Sequence, residues 1–104
     1  MFGIFKNLIR NNEEVISAVK NGAYLVDVRS HGEFASESVR GAVNIPLDEI
    51  TNHLAALKKQ QNIVVFCRSG SRSGMAKEIL KQNGIQNVYN GGAWQNVRKM
   101  KEGK

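Results

Sequence analysis

The chain has 104 residues, a formal net charge of +6 and a single cysteine. The length supports one domain and excludes two, no apolar stretch is long enough to span a membrane, and the 41% hydrophobic content is ordinary for a globular protein. The lone cysteine excludes an internal disulfide framework and predicts a reducing, cytoplasmic location. The positive charge favours anionic partners, but the sequence contains no nucleic-acid-binding motif, so nucleic acid is not expected as a partner.

Residues 1–10 are predicted to form an amphipathic segment. Phe2, Phe5 and Leu8-Ile9 fall roughly on one helical face, with the basic residues elsewhere. We expect a short helix docked on the core, and attachment to a membrane surface is the less favoured alternative. The apolar run is short and no small-residue cleavage site follows it, so a signal peptide is not expected.

Apolar periodicity and turn residues divide the next part of the chain into helices and strands. A helix is predicted over residues 12–20, where Asn11 or Asn12 can cap the start and Asn21-Gly22 the end. The elements after it are a strand over 23–28, a short helix over 31–36, a short strand over 41–45 that ends at Pro46, and a helical stretch over 47–59 with a break near Thr51.

The second half of the chain begins with an apolar, charge-free strand, Ile63-Val64-Val65-Phe66, with Cys67 at its end. Small residues and arginines follow, and a helical pattern starts at Gly74 and ends at Asn83-Gly84. The remaining elements are predicted as a short strand over 87–89, a tight bend at Gly91-Gly92, a helix over 93–100 anchored by Trp94, and a frayed tail over 99–104.

Strands and helices alternate throughout, with short connections. This alternation predicts an α/β fold with a small, largely parallel sheet and helices on both faces. In such folds, functional sites form at the carboxyl ends of the strands. Cys67 lies at one such end and Asp27 near another. A carboxylate inside an apolar strand needs a partner, so we predict a structural pair of Asp27 with Arg29 beside the Cys67 loop.

The residues after Cys67, Arg68-Ser69-Gly70-Ser71-Arg72-Ser73, favour a reactive thiol. A lone cysteine is more often a small buried apolar residue, but residues that bind anions follow this one, not residues that fill a core. A strand, a Gly/Ser loop and a helix aim backbone N–H groups and the helix N-terminus at one point, where a thiol ionises more easily. Turn chemistry and helix capping explain the serines as well as a direct role does.

Four segments form a recognisable series. In chain order they are Leu25-Val26-Asp27-Val28-Arg29 with Glu33-Phe34, Gly41-Ala42-Val43-Asn44-Ile45-Pro46-Leu47, Val64-Val65-Phe66-Cys67-Arg68-Ser69-Gly70-Ser71-Arg72-Ser73, and Tyr89-Asn90-Gly91-Gly92-Ala93-Trp94. Together they resemble the rhodanese family of single-domain sulfurtransferases, and we assign residues 11–104 to one rhodanese-like domain. Many relatives carry Gly-His-Ile where this chain has Ser38-Val39-Arg40, a difference expected to affect a structural turn and not the chemistry.

The resemblance implies that Cys67 is the nucleophile of a sulfurtransferase. Its thiolate would take a sulfane sulfur from thiosulfate or from a persulfide or polysulfide donor, become a persulfide, and pass the sulfur to a thiol, a protein or cyanide. Arg68 would guide the anionic donor, and Arg72 would bind its sulfonate or brace the loop. The implied substrate-binding residues are Arg68, Ser69, Gly70, Ser71, Arg72 and Ser73, with Asp27 and Arg29 in support.

Other functions rank lower. A non-catalytic sulfur carrier or interaction module would dock a partner's persulfide on the same loop, but an intact Cys67 with both arginines favours the enzyme. In related cysteine phosphatases and arsenate reductases the loop is longer, and here Arg72 comes one residue too early. His31 and His53 have no cysteine or paired acid at ligand spacing, so no metal is expected, and the glycine spacing fits no nucleotide loop. No cofactor is predicted.

Overall fold

Two apolar runs form the centre of a parallel sheet in the computed structural model, which describes residues 12–103. The strands are β1 (Tyr24–Asp27), β2 (Val43–Asn44), β3 (Ile63–Cys67) and β4 (Val88–Ala93). Their spatial order is β2-β1-β3-β4, and each neighbouring pair is parallel. The predicted parallel α/β fold is confirmed, whereas the amphipathic segment predicted over residues 1–10 lies outside the described residues.

Helices connect the strands and cover the sheet. Residues 12–20 are helical and are labelled α1. The other helices are α2 (His31–Ser36), a 3₁₀ helix (Leu47–His53) that continues into α3 (Leu54–Lys58), α4 (Ser71–Gln82) and α5 (Trp94–Glu102). The break predicted near Thr51 lies at His53, where 3₁₀ geometry changes to α-helix. Within residues 12–103, no helix is long and apolar enough to cross a membrane.

Each face of the sheet carries its own hydrophobic core. On one face Val65 and Cys67 of β3 pack with residues of the 3₁₀ helix, α3 and α4. On the other face Val64 and Phe66 pack with residues of α1 and α5, including the buried Trp94 that the sequence predicts as an anchor. Because both faces are covered, every residue of β3 is buried, as an uninterrupted apolar strand requires.

The helix after β3 begins earlier than the periodicity predicts. The pattern indicated a start at Gly74, but α4 starts at Ser71, and Gly70 precedes it as an N-cap with a left-handed φ of +98°. Glycine adopts this conformation without the steric cost that a Cβ would add. Residues 71–73 therefore form the first turn of α4 and not a loop, and the N–H groups of that turn have no partner within the helix.

The last strand is longer than predicted. β4 spans Val88–Ala93, so Gly91-Gly92 continues the strand and the predicted bend is wrong. Val65 of β3 pairs with Asn90, and the next residue of β3 pairs with Gly92, which leaves Gly91 as the extra residue of a β-bulge. The bulge lets a glycine pair reside in a strand that the local sequence does not favour.

The carboxyl-terminal helix α5 also extends further than predicted. A frayed tail is expected over residues 99–104, but α5 continues to Glu102. Met100 packs against the core that contains Trp94, which stabilises the last turns. Gly103 then ends the helix in a left-handed conformation, with φ at +76°.

Candidate active site

Cys67 ends β3, and the start of α4 encloses its sulfur. The residue exposes 1% of its surface. Cys67 Sγ accepts hydrogen bonds from the backbone N–H of Gly70 at 3.0 Å and of Ser73 at 3.4 Å, and it lies 3.4 Å from Ser73 Oγ. Because Gly70 reverses the chain and α4 starts at once, N–H groups that the helix leaves unpaired are directed at the sulfur. The arrangement stabilises negative charge on that atom.

The surroundings of Cys67 lower the pKa of its thiol. Burial raises the pKa, because it disfavours the charged thiolate, but the hydrogen bonds to the sulfur outweigh burial. These bonds come first from the Ser73 side chain and then from the N–H groups of Ser73, Ser69 and Gly70. The thiolate, which is the nucleophilic form, is therefore more populated near neutral pH than it is in a free cysteine.

Ser73 connects the sulfur to Asn90 on β4. Ser73 is fully buried, and its hydroxyl donates a hydrogen bond to Asn90 Oδ1 at 2.7 Å. The same oxygen accepts the N–H of Gly92 at 2.9 Å, and Asn90 Nδ2 donates to the carbonyl of Gly70 at 3.2 Å. Asn90 thus holds both the turn after Cys67 and the hydroxyl beside the sulfur. It is not among the predicted site residues, although it precedes Gly-Gly at the carboxyl end of the strand next to β3.

Arg72 points to a carboxylate on another element. Its guanidinium makes two hydrogen bonds to Glu33 of α2, at 2.8 Å from Nη1 to Oε1 and at 3.1 Å from Nη2 to Oε2. Glu33 also accepts the N–H of Ser30 at 3.0 Å, while the Ser30 hydroxyl accepts the N–H of Glu33, which forms a capping box at the start of α2. Arg72 therefore braces the first turn of α4 against the first turn of α2.

This ion pair shifts the pKa of both partners. The Arg72 guanidinium, together with the Ser30 N–H, lowers the pKa of Glu33 from 4.5 to about 2. Glu33 in turn raises the pKa of Arg72. Glu33 is another site residue that local sequence reasoning does not identify, because it lies 39 positions from its partner.

Arg68 differs from Arg72. It is exposed at the rim of the site, and among the described residues its side chain forms no ion pair or hydrogen bond. Ser69 and Ser71 are exposed beside it. Of the two arginines predicted to meet an anionic donor, Arg68 is the one whose guanidinium has no carboxylate partner within residues 12–103.

The predicted pair of Asp27 and Arg29 is present at the end of β1. Asp27 is fully buried, and Arg29 donates to its carboxylate from Nε at 3.0 Å and from Nη2 at 2.7 Å. Ser38 donates a further bond to Asp27 at 2.6 Å, and Arg29 Nη2 donates to the Glu37 carbonyl, also at 2.6 Å. Arg29 lies over the ring of Trp94, 5.1 Å from its centroid. The pair therefore joins β1 to the segment after α2 and to α5, and no hydrogen bond of Asp27 or Arg29 in the described chain reaches the Cys67 loop.

Within residues 12–103, neither histidine hydrogen bonds to Cys67, and His53 ends the 3₁₀ helix. His31 Nδ1 is 2.7 Å from Asn44 Oδ1, and Nε2 is 3.1 Å from Glu49 Oε2, so His31 joins α2 to β2 and the 3₁₀ helix. No group of three or more His, Cys, Asp or Glu side chains in residues 12–103 could hold a metal ion.

Comparison with known families shows which family the chain belongs to. The family model for the Rhodanese-like domain matches residues 11–97. The chain belongs to the rhodanese-like family. Its fold agrees with that of the human single-domain sulfurtransferase TSTD1, with a TM-score of 0.69 and 30% identity over 81% of this chain and 88% of that one. The predicted family and the predicted rhodanese fold are both confirmed.

Two curated relatives indicate which proteins this rhodanese-like chain resembles. Thiosulfate sulfurtransferase PspE of Escherichia coli is 38% identical over 74 residues, which cover 69% of this chain and 71% of PspE. Putative sulfur carrier protein YrkF of Bacillus subtilis is 35% identical over 66 residues, which cover 64% of this chain and 36% of YrkF.

In this rhodanese-like domain the predicted site residues separate into four sets. Gly70 and Ser73 contact Cys67 directly. Arg72 belongs to the same turn but is turned to α2, and Arg68, Ser69 and Ser71 form the exposed rim. Asp27 and Arg29 stand at the end of the neighbouring strand and organise the structure around it.

Proposed function

We propose that this rhodanese-like chain is a sulfurtransferase that carries a sulfane sulfur on Cys67 as a persulfide. The observation that carries the proposal is the pair of backbone N–H groups at 3.0 Å and 3.4 Å from Cys67 Sγ. A thiolate and a persulfide are both anions, and these donors favour each of them over the protonated form. PspE and TSTD1, which are named as sulfurtransferases, support the same class of reaction.

The reaction consists of two displacements at sulfur. The Cys67 thiolate attacks the outer sulfur of thiosulfate, a new S–S bond forms, and the old S–S bond breaks with its electron pair leaving on sulfite. An acceptor thiolate or cyanide then attacks the outer sulfur of the persulfide, and the electron pair of that S–S bond returns to Cys67 as thiolate. Each step conserves electrons, so no separate oxidant, reductant or cofactor takes part. A persulfide or polysulfide donor follows the same course with a thiolate or a shorter polysulfide as leaving group.

The two arginines divide the work of handling an anionic donor. Arg68, exposed at the rim, attracts the donor and faces its sulfonate end as the outer sulfur approaches Cys67. Arg72 is held by Glu33 and keeps the first turn of α4 in position around the sulfur. Of the two roles open to Arg72 from sequence, we assign bracing. Ser69 and Ser71 line the approach, and the supporting role of Asp27 and Arg29 is to hold the end of β1 beside β3.

One alternative has an observation of its own. The match to a putative sulfur carrier protein favours a module that exchanges sulfur with one protein partner and turns over thiosulfate slowly. A cysteine phosphatase or arsenate reductase is ranked below both, because Arg72 comes one residue early and is engaged by Glu33. We place the reaction in a reducing compartment, the cytoplasm, because the chain has a single cysteine that must stay a thiol between cycles.

Intact-mass spectrometry after brief exposure to thiosulfate tests the proposal. The wild type should gain one sulfur atom, about 32 Da, and a Cys67→Ser variant should gain none. Addition of cyanide should remove the added mass and release thiocyanate. Serine keeps the size and the hydrogen bonds of the side chain, so the variant is a matched control for the nucleophile.

The outcomes separate the candidate functions. Rapid loading and repeated turnover support the enzyme. Loading from a persulfide but not from thiosulfate keeps the chemistry and changes the donor, and loading with rapid transfer to only one protein supports the carrier. Retention of the added mass by Cys67→Ser, or no adduct from any sulfane sulfur donor, contradicts the proposal.

A further inference from the structure

The hydroxyl of Ser73 stands between two groups that can accept its single proton. Ser73 Oγ is 3.4 Å from Cys67 Sγ and 2.7 Å from Asn90 Oδ1. Ser73 is fully buried, so water does not replace either partner. A hydroxyl has one proton to donate, and it can therefore serve only one of these acceptors at a time.

The orientation of the Asn90 amide is set by its other contacts. Its Oδ1 accepts the N–H of Gly92 at 2.9 Å, and its Nδ2 donates to the carbonyl of Gly70 at 3.2 Å. Rotation of the amide by half a turn would place N–H against N–H and oxygen against oxygen. The group that faces Ser73 is therefore the amide oxygen, which only accepts.

These contacts define two states of the site. While Cys67 is a thiol, its S–H donates to Ser73 Oγ and the Ser73 hydroxyl donates to Asn90. When Cys67 is a thiolate, its sulfur can only accept, and the Ser73 hydroxyl turns to donate to it. Asn90 Oδ1 then keeps the Gly92 N–H as its partner, so no buried polar atom is left unsatisfied in either state.

We propose that Asn90 is a positioning residue that holds the Ser73 proton while Cys67 is a thiol and yields it to the sulfur when Cys67 is anionic. Asn90 also fixes the Gly70 carbonyl, and with it the N–H of Gly70 that is 3.0 Å from the sulfur. For sulfur transfer, the inference rests on the proposed function. The transfer of the Ser73 hydrogen bond between Asn90 and Cys67, which we call the switch, concerns only the ionisation of Cys67. Asn90 touches no reacting atom and acts through Ser73.

Asn90→Asp and Asn90→Ala make opposite predictions for ionisation. Aspartate has the same shape, but its carboxylate accepts the Ser73 proton more strongly and adds a negative charge near the sulfur. The midpoint of Cys67 ionisation should rise by about one pH unit, which slows thiolate reactions below that midpoint about tenfold. Alanine removes the competing acceptor, so the Ser73 hydroxyl is released to the sulfur and the midpoint should fall by about 0.3 unit.

The measurement is the pH profile of Cys67 alkylation by iodoacetamide, with thermal unfolding of each variant alongside. Asn96→Asp, on the exposed surface of α5, is the matched control for a change of amide to carboxylate. The profile must be read against the charged groups that the fold brings to this end of the sheet, which are Arg68, Arg72, Glu33, Asp27 and Arg29. None of them changes in these variants.

A Ser73→Ala background completes the test. With Ser73 removed, Asn90→Ala should no longer lower the midpoint, because only the loss of its bond to Gly70 remains. The upward shift from Asn90→Asp should fall to the part that its charge produces. A purely structural role for Asn90 would lower the unfolding temperature in both variants and move both midpoints upward. That result, or an Asn90→Asp midpoint equal to that of Asn96→Asp, overturns the proposal, and the aspartate variant is sufficient if the alanine variant does not fold.

The test is independent of sulfur transfer. If thiosulfate and persulfides fail to load Cys67 but the midpoints move in opposite directions, the proposed function fails and the switch stands. If the protein transfers sulfur and the midpoints do not move, the switch alone fails.

Discussion

The neighbouring strands β1 and β3 both end on a buried acidic group, Asp27 and Cys67, but the two groups are stabilised differently. Asp27 receives a guanidinium from Arg29, at 2.7 Å and 3.0 Å, and a hydroxyl from Ser38. Within residues 12–103, the donors to Cys67 are all neutral: the N–H groups and the hydroxyl of the turn that follows it. The arginine of that turn, Arg72, is bound to Glu33 instead.

We infer from this difference that Asp27 is structural and that Cys67 is suited to reaction. A carboxylate that is paired with a cation in a dry site has no capacity left for a substrate. A thiolate held by neutral donors, the N–H groups and the Ser73 hydroxyl, is stabilised enough to form, yet it keeps the nucleophilicity that a direct ion pair would reduce. Substitutions near the carboxyl ends of β1 and β3 test this difference.

The largest expected effect comes from removing the charge of Asp27. Asp27→Asn leaves the buried guanidinium of Arg29 without its counter-charge, and the free energy of unfolding should fall by about 3 kcal/mol. Urea denaturation measures this loss. Asp48→Asn, at an exposed position of the 3₁₀ helix, is the control and should change stability little. A loss below about 1 kcal/mol for Asp27→Asn would mean that the pair is not what holds this strand end.

The next effect concerns Arg68, whose guanidinium has no carboxylate partner in the part of the chain that the structure describes. Arg68→Ala should raise the KM for thiosulfate about tenfold and change kcat little, because the guanidinium acts on the approach of the anion. The effect should shrink at high ionic strength. Lys58→Ala removes the same charge from an exposed position on α3 and controls for net charge. A loss in kcat at constant KM would contradict the assignment.

Glu33→Gln removes the carboxylate that binds Arg72. Arg72 can then act on Cys67 as Arg29 acts on Asp27. Glutamine keeps an oxygen for the Ser30 N–H but releases Arg72, whose charge then bears on the sulfur. The midpoint of Cys67 ionisation should fall by about 0.5 unit at low salt, measured by iodoacetamide alkylation. An unchanged midpoint would show that Arg72 does not act on the sulfur even when released.

The same variant tests how the stability of the protein changes at acidic pH. The pKa of Glu33 is lowered from 4.5 in the unfolded chain to about 2 in the fold, so its contribution is complete above pH 4.5 and is lost as the pH falls toward 2. The difference in unfolding temperature between the wild type and Glu33→Gln should therefore close over that range. A difference that stays constant with pH would contradict this ion pair.

The smallest expected effect lies outside the two strand ends, at His31 on α2, which contacts β2 and the 3₁₀ helix. Its bonds to Asn44 and Glu49 raise the pKa of His31, so its stabilisation is complete below the unfolded pKa and is lost as the pH rises through the folded value. Wild type should exceed His31→Gln in unfolding temperature more at pH 5.5 than at pH 8. His53→Gln serves as the control, and an equal or larger gap at pH 8 would be the contrary result.

Most of the fold is readable from the sequence because β1 and β3 are apolar runs that only a doubly covered sheet can bury. Two of the misplaced boundaries depend on features that the local sequence does not reveal. The first turn of α4 contains no apolar periodicity, and its start depends on Gly70 adopting a left-handed conformation. The strand character of Gly91-Gly92 depends on pairing with β3 across a bulge, which local propensity does not reveal.

The candidate site is predictable to a similar extent. Cys67 and its loop are evident because small residues and arginines at the end of a buried strand fit anion binding and not packing. The contacts that arrange the loop are not evident, because Glu33 and Asn90 meet it only through the fold, from 39 and 17 positions away. For Arg72, the sequence left two roles open, and the position of Glu33 favours bracing.

The burial of the Cys67 sulfur determines which molecules can reach it before and after sulfur loading. Cys67 exposes 1% of its surface, so only a small reagent or the terminal atom of a slender donor can reach its thiolate. After loading, the transferred sulfur lies about 2 Å beyond Cys67 Sγ along the new S–S bond. We expect the empty form to be shielded from bulky oxidants and disulfide partners, and the full form to offer its outermost atom to a large acceptor. Loading would then change what the surface presents to other proteins without any movement of the backbone.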